Sequence, residues 1–385
     1  MENYYSLKAC YCALNRQFGY SPRIGADLIR KAGGVAEVFR MPRSQLEKAL
    51  VNLPSSVILD ERILERSEKE IEDLEDKGFR FLCLEDRDYP EILKECPDPP
   101  FGLYISSTDE PSALFSRPAV AIVGTRNLTP YGSAWCKKIV EAMSRLPFRC
   151  TVISGLAFGA DFKAHQTALE TGLPTIGVMA TGIDKIYPWQ HQELSRKIVA
   201  AEGSALITDY PPETSPLAIN FMRRNRIIAG LAKATVVIES ASKGGSLITA
   251  RYANEYNRDV YALPGRADDH WSSGCNSLIR DKMAEIITDP QELVKRIFDE
   301  LPTAAAPKEN LTERVFRQFS DEYSPDEMER MLLIIRTIRD NRGISAEELC
   351  SATALPYSTV ASMTNRLEAA GYLRKDLFQR CSLVQ

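Results

Sequence analysis

The chain has 385 residues and a formal net charge of −4, from 48 Lys and Arg against 52 Asp and Glu. Its composition, 44% hydrophobic and 26% charged, is typical of globular proteins, and the length predicts two or three domains. No apolar run is long enough to span a membrane, and the opening MENYYSLK does not resemble a signal peptide. The nine cysteines form no C-x-x-C pair, so we expect no zinc ribbon, no disulfide framework and a cytoplasmic location.

The net charge is unevenly distributed along the chain. Residues 60–98 contain fifteen acids and seven bases, a net charge of −8, so the other residues together carry +4. Apolar residues recur in this segment at helical spacing, as at Ile63, Leu64, Ile71 and Leu74. This pattern predicts that the acids form the solvated face of a helix. The overall charge therefore does not exclude a polyanionic partner.

Residues 1–86 are predicted to form a small helical domain. Short helical segments are interrupted there by glycines, including Gly19, Gly25 and the Gly33-Gly34 pair. The order of helix, short turn and helix resembles a helix–hairpin–helix or SAM-like module. A plain helical packing domain fits the pattern equally well.

Residues 87–300 are predicted to form a Rossmann-like domain. Short apolar, β-branched runs alternate there with helical segments, and such runs are typical of strands that are buried on both faces. The alternation predicts right-handed βαβ crossovers and an α/β fold with a doubly wound, mostly parallel sheet. The predicted strands are 119–124, 150–155, 174–180, 204–210, 234–240 and 259–265.

The C-terminal part is predicted to be a winged-helix domain over residues 311–385. It follows residues 301–310, LPTAAAPKEN, which have the composition of a linker. The pattern predicts helices at 345–352 and 357–370 with a turn between them, and YLRKDLFQRCSLV can form a β-hairpin after them. A helix–turn–helix followed by a hairpin is the order of a winged helix.

Four glycine-containing segments fall where predicted strands end and helices begin. Helix N-termini present unpaired N–H groups and a positive dipole end, and glycine lets an anion approach the backbone. Several such turns at the carboxyl edge of one parallel sheet predict a phosphate site, although a single glycine there more often serves only a backbone turn. The segments are VGTRNLTPYG, SGLAFGADFKAH, ATGIDKIYP and KGGSLITA.

A basic cluster, NFMRRNRIIAG (220–230), supports the phosphate hypothesis. Arg126 also follows the first predicted strand directly. Arginine binds phosphate oxygens through two N–H groups, and the ring of Phe221 offers a face on which a base can stack. Alternatively, some of these arginines form ion pairs within the domain with the acids Asp161, Asp209 and Glu239.

Other functional classes lack their motifs. Asp161 and His165 lie four residues apart on one predicted helix, but we expect His165 to make a structural hydrogen bond rather than to bind a metal. The sequence has no P-loop motif and no G-x-S-x-G, and Arg126 stands where a dinucleotide-binding fingerprint would have its second glycine. We therefore expect no cofactor and no metal.

Taken in order, GTRNLTPYG, SGLAFGADFKAH, TGIDKIYP, FMRRNRIIAGL, KGGSLITARYA and ALPG with GCNSLI resemble the DprA/Smf family of DNA-processing proteins. The resemblance covers about residues 119–290, and residues 87–104 resemble the segment that precedes these motifs in the family. It implies a non-enzymatic protein that binds single-stranded DNA without sequence specificity. It also implies a homodimer formed through the Rossmann-like domain, which helps to load RecA onto DNA during natural transformation.

The resemblance also implies which residues bind DNA. By position in the family motifs, they are Gly124, Arg126, Ser154, Gly155, Phe221, Arg224, Arg226, Lys243, Gly244, Gly245 and Ser246. The chain departs from the family pattern in KGGS, in GAD at 159–161 and in TDY at 208–210. In addition, SPLAIN at 215–220 lacks the basic residue that family members often carry there.

Two alternative functions remain open from the sequence. The first is an enzyme that acts on a nucleotide or phosphoribosyl substrate at the same phosphate site, although the first acid after the Gly-Gly turn, Glu255, comes late in the helix. The second is a regulator that binds duplex DNA through the winged helix. Its predicted recognition helix carries only Arg366 and Glu368, so we expect a protein contact or weak DNA binding there.

Overall fold

The structure is a computed structural model. It describes residues 5–19, 21–49, 57–299, 315–316, 318–319, 323–341, 344–375 and 380–383. The chain divides into two compact units, Met1–Leu301 and Pro302–Gln385. The predicted linker, residues 301–310, lies outside the described residues. In the described part, no helix is both long enough and apolar enough to cross a bilayer.

The first unit is built on a nine-stranded sheet in the order β1-β2-β6-β5-β4-β3-β7-β8-β9. Its strands are β1 Arg80–Cys83, β2 Gly102–Ser106, β3 Ala119–Val123, β4 Thr151–Ser154, β5 Thr175–Val178, β6 Ala205–Thr208, β7 Ala234–Val237, β8 Asp259–Ala262 and β9 Glu285–Ile286. Strands β3 to β9 pair in parallel, while β2 pairs antiparallel with both β1 and β6. The predicted α/β fold and all six predicted strands are confirmed.

The sheet also contains three strands that the sequence did not predict, namely β1, β2 and β9. Strand β1 follows the acidic helix, inside residues 1–86, so a boundary at residue 87 separates it from the sheet to which it belongs. Strand β1 has only four residues, between the charged helix and the next turn, which is too short a run to show a strand pattern. Strand β9 has only two residues, both exposed, and therefore shows no apolar pattern.

Helices surround the sheet. They are α1 Leu7–Phe18, α2 Pro22–Ala32, α3 Val35–Arg40, α4 Arg43–Ala49, α5 Glu61–Asp76, α6 Glu91–Lys94, α7 Pro111–Leu114, α8 Pro130–Ser144, α9 Ala160–Glu170, α10 Gln192–Ala200, α11 Ala218–Gly230, α12 Ser246–Glu255, α13 Ser273–Arg280 and α14 Pro290–Phe298. Side chains alternate between the two faces of a strand, so Val120 and Ile122 of β3 pack against α8, α9 and α14. Ala121 and Val123 face the opposite side, where α11 and α12 lie.

The N-terminal helices pack on the antiparallel end of the sheet. Helices α1 and α5 share one apolar cluster with side chains of β1, β2 and β6. The acidic helix α5 exposes most of its charges, as its pattern predicted, but Glu70 faces inward and is 8% exposed. The Glu70 carboxylate pairs with Arg16 of α1 and accepts a hydrogen bond from Tyr104 Oη at 2.7 Å. The inward-facing acid is therefore paired.

A second buried ion pair joins three segments of the first unit. Arg226 Nη2 lies 2.6 Å from Asp209 Oδ2, and both side chains are about 5% exposed. The same guanidinium donates to the carbonyl oxygens of Asp98 and Gly19, at 2.5 and 3.3 Å. Burial lowers the pKa of Arg226, but Asp209, Asp98 and two neighbouring tyrosines together outweigh that effect and raise it. Arg226 therefore holds the end of α1 and the loop at residue 98 against the sheet.

The second unit has the predicted winged-helix order. Its described helices are Pro325–Asp340, Ala346–Thr353 and Tyr357–Ala369, and they are followed by the antiparallel strands Leu373–Lys375 and Cys381–Leu383. The side chains of Ser324 and Ser345 cap the first two of these helices through capping boxes with Glu327 and Glu348. The predicted helices and hairpin are confirmed.

We predict that Arg226→Ala destabilises the first unit by about 3–5 kcal/mol, because the substitution leaves Asp209 buried without its partner. Urea unfolding followed by circular dichroism measures the change. Arg266→Ala is the matched control, because Arg266 pairs with Asp268 at the surface, where both side chains are more than 70% exposed. Equal unfolding midpoints for Arg226→Ala and the wild type would show that the buried pair does not hold these segments together.

Candidate nucleic-acid interface

The site lies where the strand order of the sheet reverses. The chain leaves β3 through α8 on one face, and α11 returns it on the other face to β7, which lies beside β3. Loops that leave neighbouring strands in opposite directions open a crevice at the carboxyl edge of a parallel sheet. A cleft of about 570 Å³ occupies this position. All four predicted glycine-containing segments contribute to its lining, so the predicted convergence is confirmed.

The loop after β3 forms one wall of the cleft and depends on close backbone approach. Gly159 has φ of +75° just before α9, and a Cβ there would lie 2.6 Å from the carbonyl oxygen of Arg126. The N–H of Ala160 donates to the carbonyl oxygen of Thr125 at 3.1 Å. Glycine at 159 therefore lets the start of α9 pack directly against the loop, which fixes the position of Arg126.

The start of α12 forms the opposite wall. Gly244, Gly245 and Ser246 line the cleft, and the amide of Asn225 donates to the carbonyl oxygen of Gly245 at 3.3 Å. Ser246 is 7% exposed, and its Oγ has no hydrogen-bond partner among the described residues. A buried hydroxyl without a hydrogen-bond partner destabilises the folded protein. An anion at the helix N-terminus would supply the missing acceptor.

One face of α11 forms the floor. Phe221, Arg224, Asn225 and Ile228 all line the cleft, and their spacing of three, four and seven residues is that of a single helix face. The exposed guanidinium of Arg126 lies over the Phe221 ring, 5.6 Å from its centre. A cation and an aromatic ring therefore lie next to each other in the lining of the cleft. This arrangement can bind a phosphate and stack a base.

Arg224 lies deeper in the cleft than Arg126. Its side chain is 4% exposed, Nη1 donates to the carbonyl oxygen of Val178, and Nε lies 3.3 Å from Asn225 Oδ1. A Cβ on Gly155 would lie within 2.6 Å of both the guanidinium of Arg224 and the carboxylate of Asp161, so the three groups are closely packed. Burial raises the pKa of Asp161, and neighbouring Arg224 opposes this rise. In turn, burial lowers the pKa of Arg224 and neighbouring Asp161 opposes this fall, so each charge stabilises the other.

The structure brings together seven of the eleven predicted DNA-binding residues. The cleft is lined by Gly124, Arg126, Phe221, Arg224, Gly244, Gly245 and Ser246. Gly155 lies just beneath this surface, and Ser154 is buried, with its hydroxyl donating to the carbonyl oxygen of Ile122 at 2.5 Å. Lys243 is exposed on the turn before α12 but is outside the lining.

Arg226 does not reach the cleft, because its side chain is committed to the ion pair with Asp209. Two residues correspond to about 200° of helix rotation, so Arg226 must leave α11 on the side opposite Arg224. The ion-pair alternative considered from the sequence therefore holds for Arg226. The third acid considered, Glu239, instead accepts hydrogen bonds from the N–H and hydroxyl of Thr129 at the start of α8.

Several lining residues were not predicted from the sequence. They include Asn127, Tyr187, Asn225 and Trp271. Helical spacing from Phe221 could have identified Asn225, and the position of Tyr187 in a predicted glycine-containing segment was a further signal. Trp271 comes from the segment after β8, and only the fold brings it to this edge.

His165 has a structural role, as expected. The ring is fully buried, and its Nδ1 and Nε2 lie 2.7 Å from Thr175 Oγ1 and 2.6 Å from the carbonyl oxygen of Gly155. Burial lowers the pKa of His165 to about 4, so the imidazole is neutral at pH 7. Within the described ranges, no group of three His, Cys, Asp or Glu side chains is placed to hold a metal ion.

Fold and site together define a class of protein. It is a Rossmann-like α/β protein with a basic and aromatic cleft at its topological switch point, followed by a winged-helix unit. The model of the DNA recombination-mediator protein A family matches residues 80–298, and a winged helix-turn-helix DNA-binding model matches residues 329–374.

Curated relatives agree with the family model. Protein Smf of Escherichia coli is 34% identical over 286 residues, which are 73% of this chain and 74% of the relative. Protein Smf of Synechocystis is 44% identical over 225 residues, covering 58% of this chain and 55% of the longer relative. The chain belongs to the DNA recombination-mediator protein A family, to which the DprA and Smf proteins belong, and the expected family is confirmed.

Solved structures show the same architecture. DNA processing protein A from Streptococcus pneumoniae superposes with a TM-score of 0.62 at 28% identity, covering 76% of this chain and 98% of that one. The Helicobacter pylori protein, whose structure describes a single-stranded DNA binding mode, gives a TM-score of 0.51 at 27% identity, with 58% of this chain and 97% of that chain covered.

Proposed function

We propose that this protein binds single-stranded DNA without sequence specificity in the cleft and promotes the loading of RecA onto that strand during natural transformation. The observation that carries the proposal is the exposed Arg126 over the ring of Phe221, at the end of a parallel sheet where helix N-termini converge. Arginine and backbone N–H groups bind phosphates, and every base has a face that can stack. Such a site holds a strand whatever its sequence.

Charge and relatedness support single-stranded rather than duplex DNA. The charged residues that line the cleft are two arginines and one aspartate, so the cleft carries a small positive excess. A strand whose bases are unstacked can place one base on Phe221, whereas duplex DNA hides its base faces. The Helicobacter pylori relative is described by its single-stranded DNA binding mode.

We further propose that the protein acts by binding and not as an enzyme. The acid in the cleft, Asp161, accepts a hydrogen bond from the N–H of Ala157 at 3.2 Å and lies beside Arg224, so its carboxylate has partners of its own. Glu255 is the last residue of α12, roughly 14 Å along the helix from Ser246, too far to act at the glycine turn. Turnover of a nucleoside monophosphate by the wild type would instead favour the enzyme alternative.

The same proposal includes a homodimer formed through the Rossmann-like domain. Strand β9 is an edge strand of the sheet, and the side chains of Ile286 in it and Met283 just before it are exposed. An unpaired edge with apolar side chains favours pairing with another chain. Light scattering, which gives the mass in solution against 43.1 kDa for one chain, tests this part.

We predict that Arg126→Glu lowers the affinity for a fluorescently labelled oligothymidylate at least tenfold, because it replaces a phosphate contact with a like charge. In a plot of the logarithm of affinity against the logarithm of salt concentration, the slope should also be shallower by about one, the share of a single phosphate contact. Fluorescence anisotropy at several salt concentrations measures both effects.

Arg149→Glu is the matched control for this experiment. Arg149 precedes β4, at the amino edge of the sheet, and pairs with Glu202 away from the cleft. This variant should bind like the wild type. If Arg126→Glu binds as tightly as Arg149→Glu at every salt concentration, the cleft is not the DNA site.

The RecA part of the proposal has its own test. On strands coated with single-strand binding protein, the wild type should shorten the delay before RecA filaments form, and Arg126→Glu should not, because it no longer holds the strand. The delay is followed through the ATP hydrolysis of RecA. A wild type that binds DNA but leaves the delay unchanged would contradict RecA loading while leaving the DNA site intact.

A further inference from the structure

Large apolar side chains are exposed on and near the segment that contributes Tyr187 to the lining of the cleft. Trp189 is 75% exposed, more than any other large apolar side chain in the described part of the chain. Tyr187 and Phe158, close by, are 45% and 44% exposed. A group of exposed aromatic side chains near one short segment marks a candidate binding surface, because each ring that stays in water forgoes the favourable free energy of burial.

Ring contacts anchor the two ends of the segment that carries Trp189. The ring of Tyr187 lies 5.5 Å from that of Phe221, edge to face, and Tyr187 itself lines the cleft. The ring of Phe158 lies 4.6 Å from that of His191, also edge to face. Residues 187–191 therefore run from the ring that contacts Phe221 to the ring that contacts Phe158, and Trp189 lies between these two contacts in sequence. We call Phe221, Tyr187, Trp189 and Phe158 the aromatic row.

The backbone beneath the aromatic row is held in place. Residues Trp189–His191 form one turn of 3-10 helix that leads into α10. The ring of His191 is buried, and its Nδ1 lies 2.8 Å from the carbonyl oxygen of Leu156. The same ring packs 4.9 Å from Phe162 of α9. Trp189 is thus exposed on an ordered turn, and a surface positioned in this way gives up little entropy on binding.

We propose that the aromatic row is a stacking platform that extends the single-stranded DNA site beyond the cleft. It takes the bases of the nucleotides that follow the one held at Phe221. The inference rests on the proposed function, since it needs a strand in the cleft. Tyr187 is shared by the cleft and the row, so a strand that leaves the cleft past Tyr187 meets Trp189 next.

The chemistry of the row favours nucleic acid over a protein partner. Consecutive aromatic faces accept successive bases, and each stacked base contributes enough to raise affinity roughly fivefold to a hundredfold. A protein partner would use the row as apolar area, so Leu at 189 would serve nearly as well as Trp. Bases stack on a π-face, which Leu lacks, so DNA affinity would differ between Trp and Leu at position 189. This difference makes the proposal testable.

The test compares Trp189→Ala, Trp189→Leu and Trp189→Phe in the full-length chain, with the side chain exposed enough that the fold is unaffected. For an oligothymidylate of about fifteen nucleotides, we expect Ala and Leu to weaken binding about fivefold or more and Phe to retain most of the affinity. For a strand of about four nucleotides, which fills only the cleft, all three variants should bind like the wild type. Phe221→Ala should weaken binding of both strands.

Intrinsic fluorescence gives a second readout, because a stacked base quenches tryptophan emission. Trp271 lines the cleft, so any strand can quench it, and Trp135 lies on α8 outside the lining. The long strand should therefore remove more emission per mole from the wild type than from Trp189→Phe, and the short strand should remove the same amount from both. If the long strand removes the same amount of emission from the two proteins, Trp189 does not meet the DNA.

The outcomes separate this inference from the function on which it rests. If the wild type binds neither strand, the proposed function fails. If the wild type binds and every variant at 189 binds the long strand equally well, only the platform fails. If Trp189→Ala instead changes the mass in solution by light scattering and leaves DNA affinity unchanged, the row is a protein contact and the platform is wrong.

Discussion

The site depends on one topological constraint, the reversal of strand order between β3 and β7. Since the connections from these neighbouring strands run to opposite faces of the sheet, their carboxyl ends cannot be covered by a single crossover, and a crevice stays open between them. Three elements line this crevice, namely the loop with Arg126, the start of α12 and one face of α11. Glycines at 124, 159 and 244 then allow the backbones to approach as closely as the crevice requires.

The charge of the protein is organised around the same crevice. Two of the arginines of α11 are buried, and each lies against an acid: Arg226 pairs with Asp209, and Arg224 packs beside Asp161. Their main effect is to fix the walls and the floor. Arg126, in contrast, is exposed, so its guanidinium can contact an anionic ligand together with the helix N-termini. Neither the overall charge of −4 nor the number of arginines in the cluster therefore indicates the strength of the site.

Much of the fold and part of the site could be predicted from the sequence. The central strands are continuous apolar runs, a pattern typical of buried strands, and the glycine-containing turns mark where these strands end. Strands β1 and β9 could not be predicted, because one is a short segment beside a charged helix and the other has two exposed residues. The family motif places Arg226 beside Arg224 in sequence, but two residues are about 200° of helix rotation, so the two side chains leave α11 on opposite sides. Trp271 could not be found, since only tertiary structure brings it to the cleft.

The central claim is that single-stranded DNA lies in the cleft between β3 and β7. Amide hydrogen exchange of the full-length chain, with and without an oligothymidylate, tests it most directly, since bound phosphates protect the backbone N–H groups that they contact. We predict slower exchange at residues 124–127, 221–225 and 244–249. Protection confined to the winged-helix residues 344–375, with none at the cleft, would contradict the account.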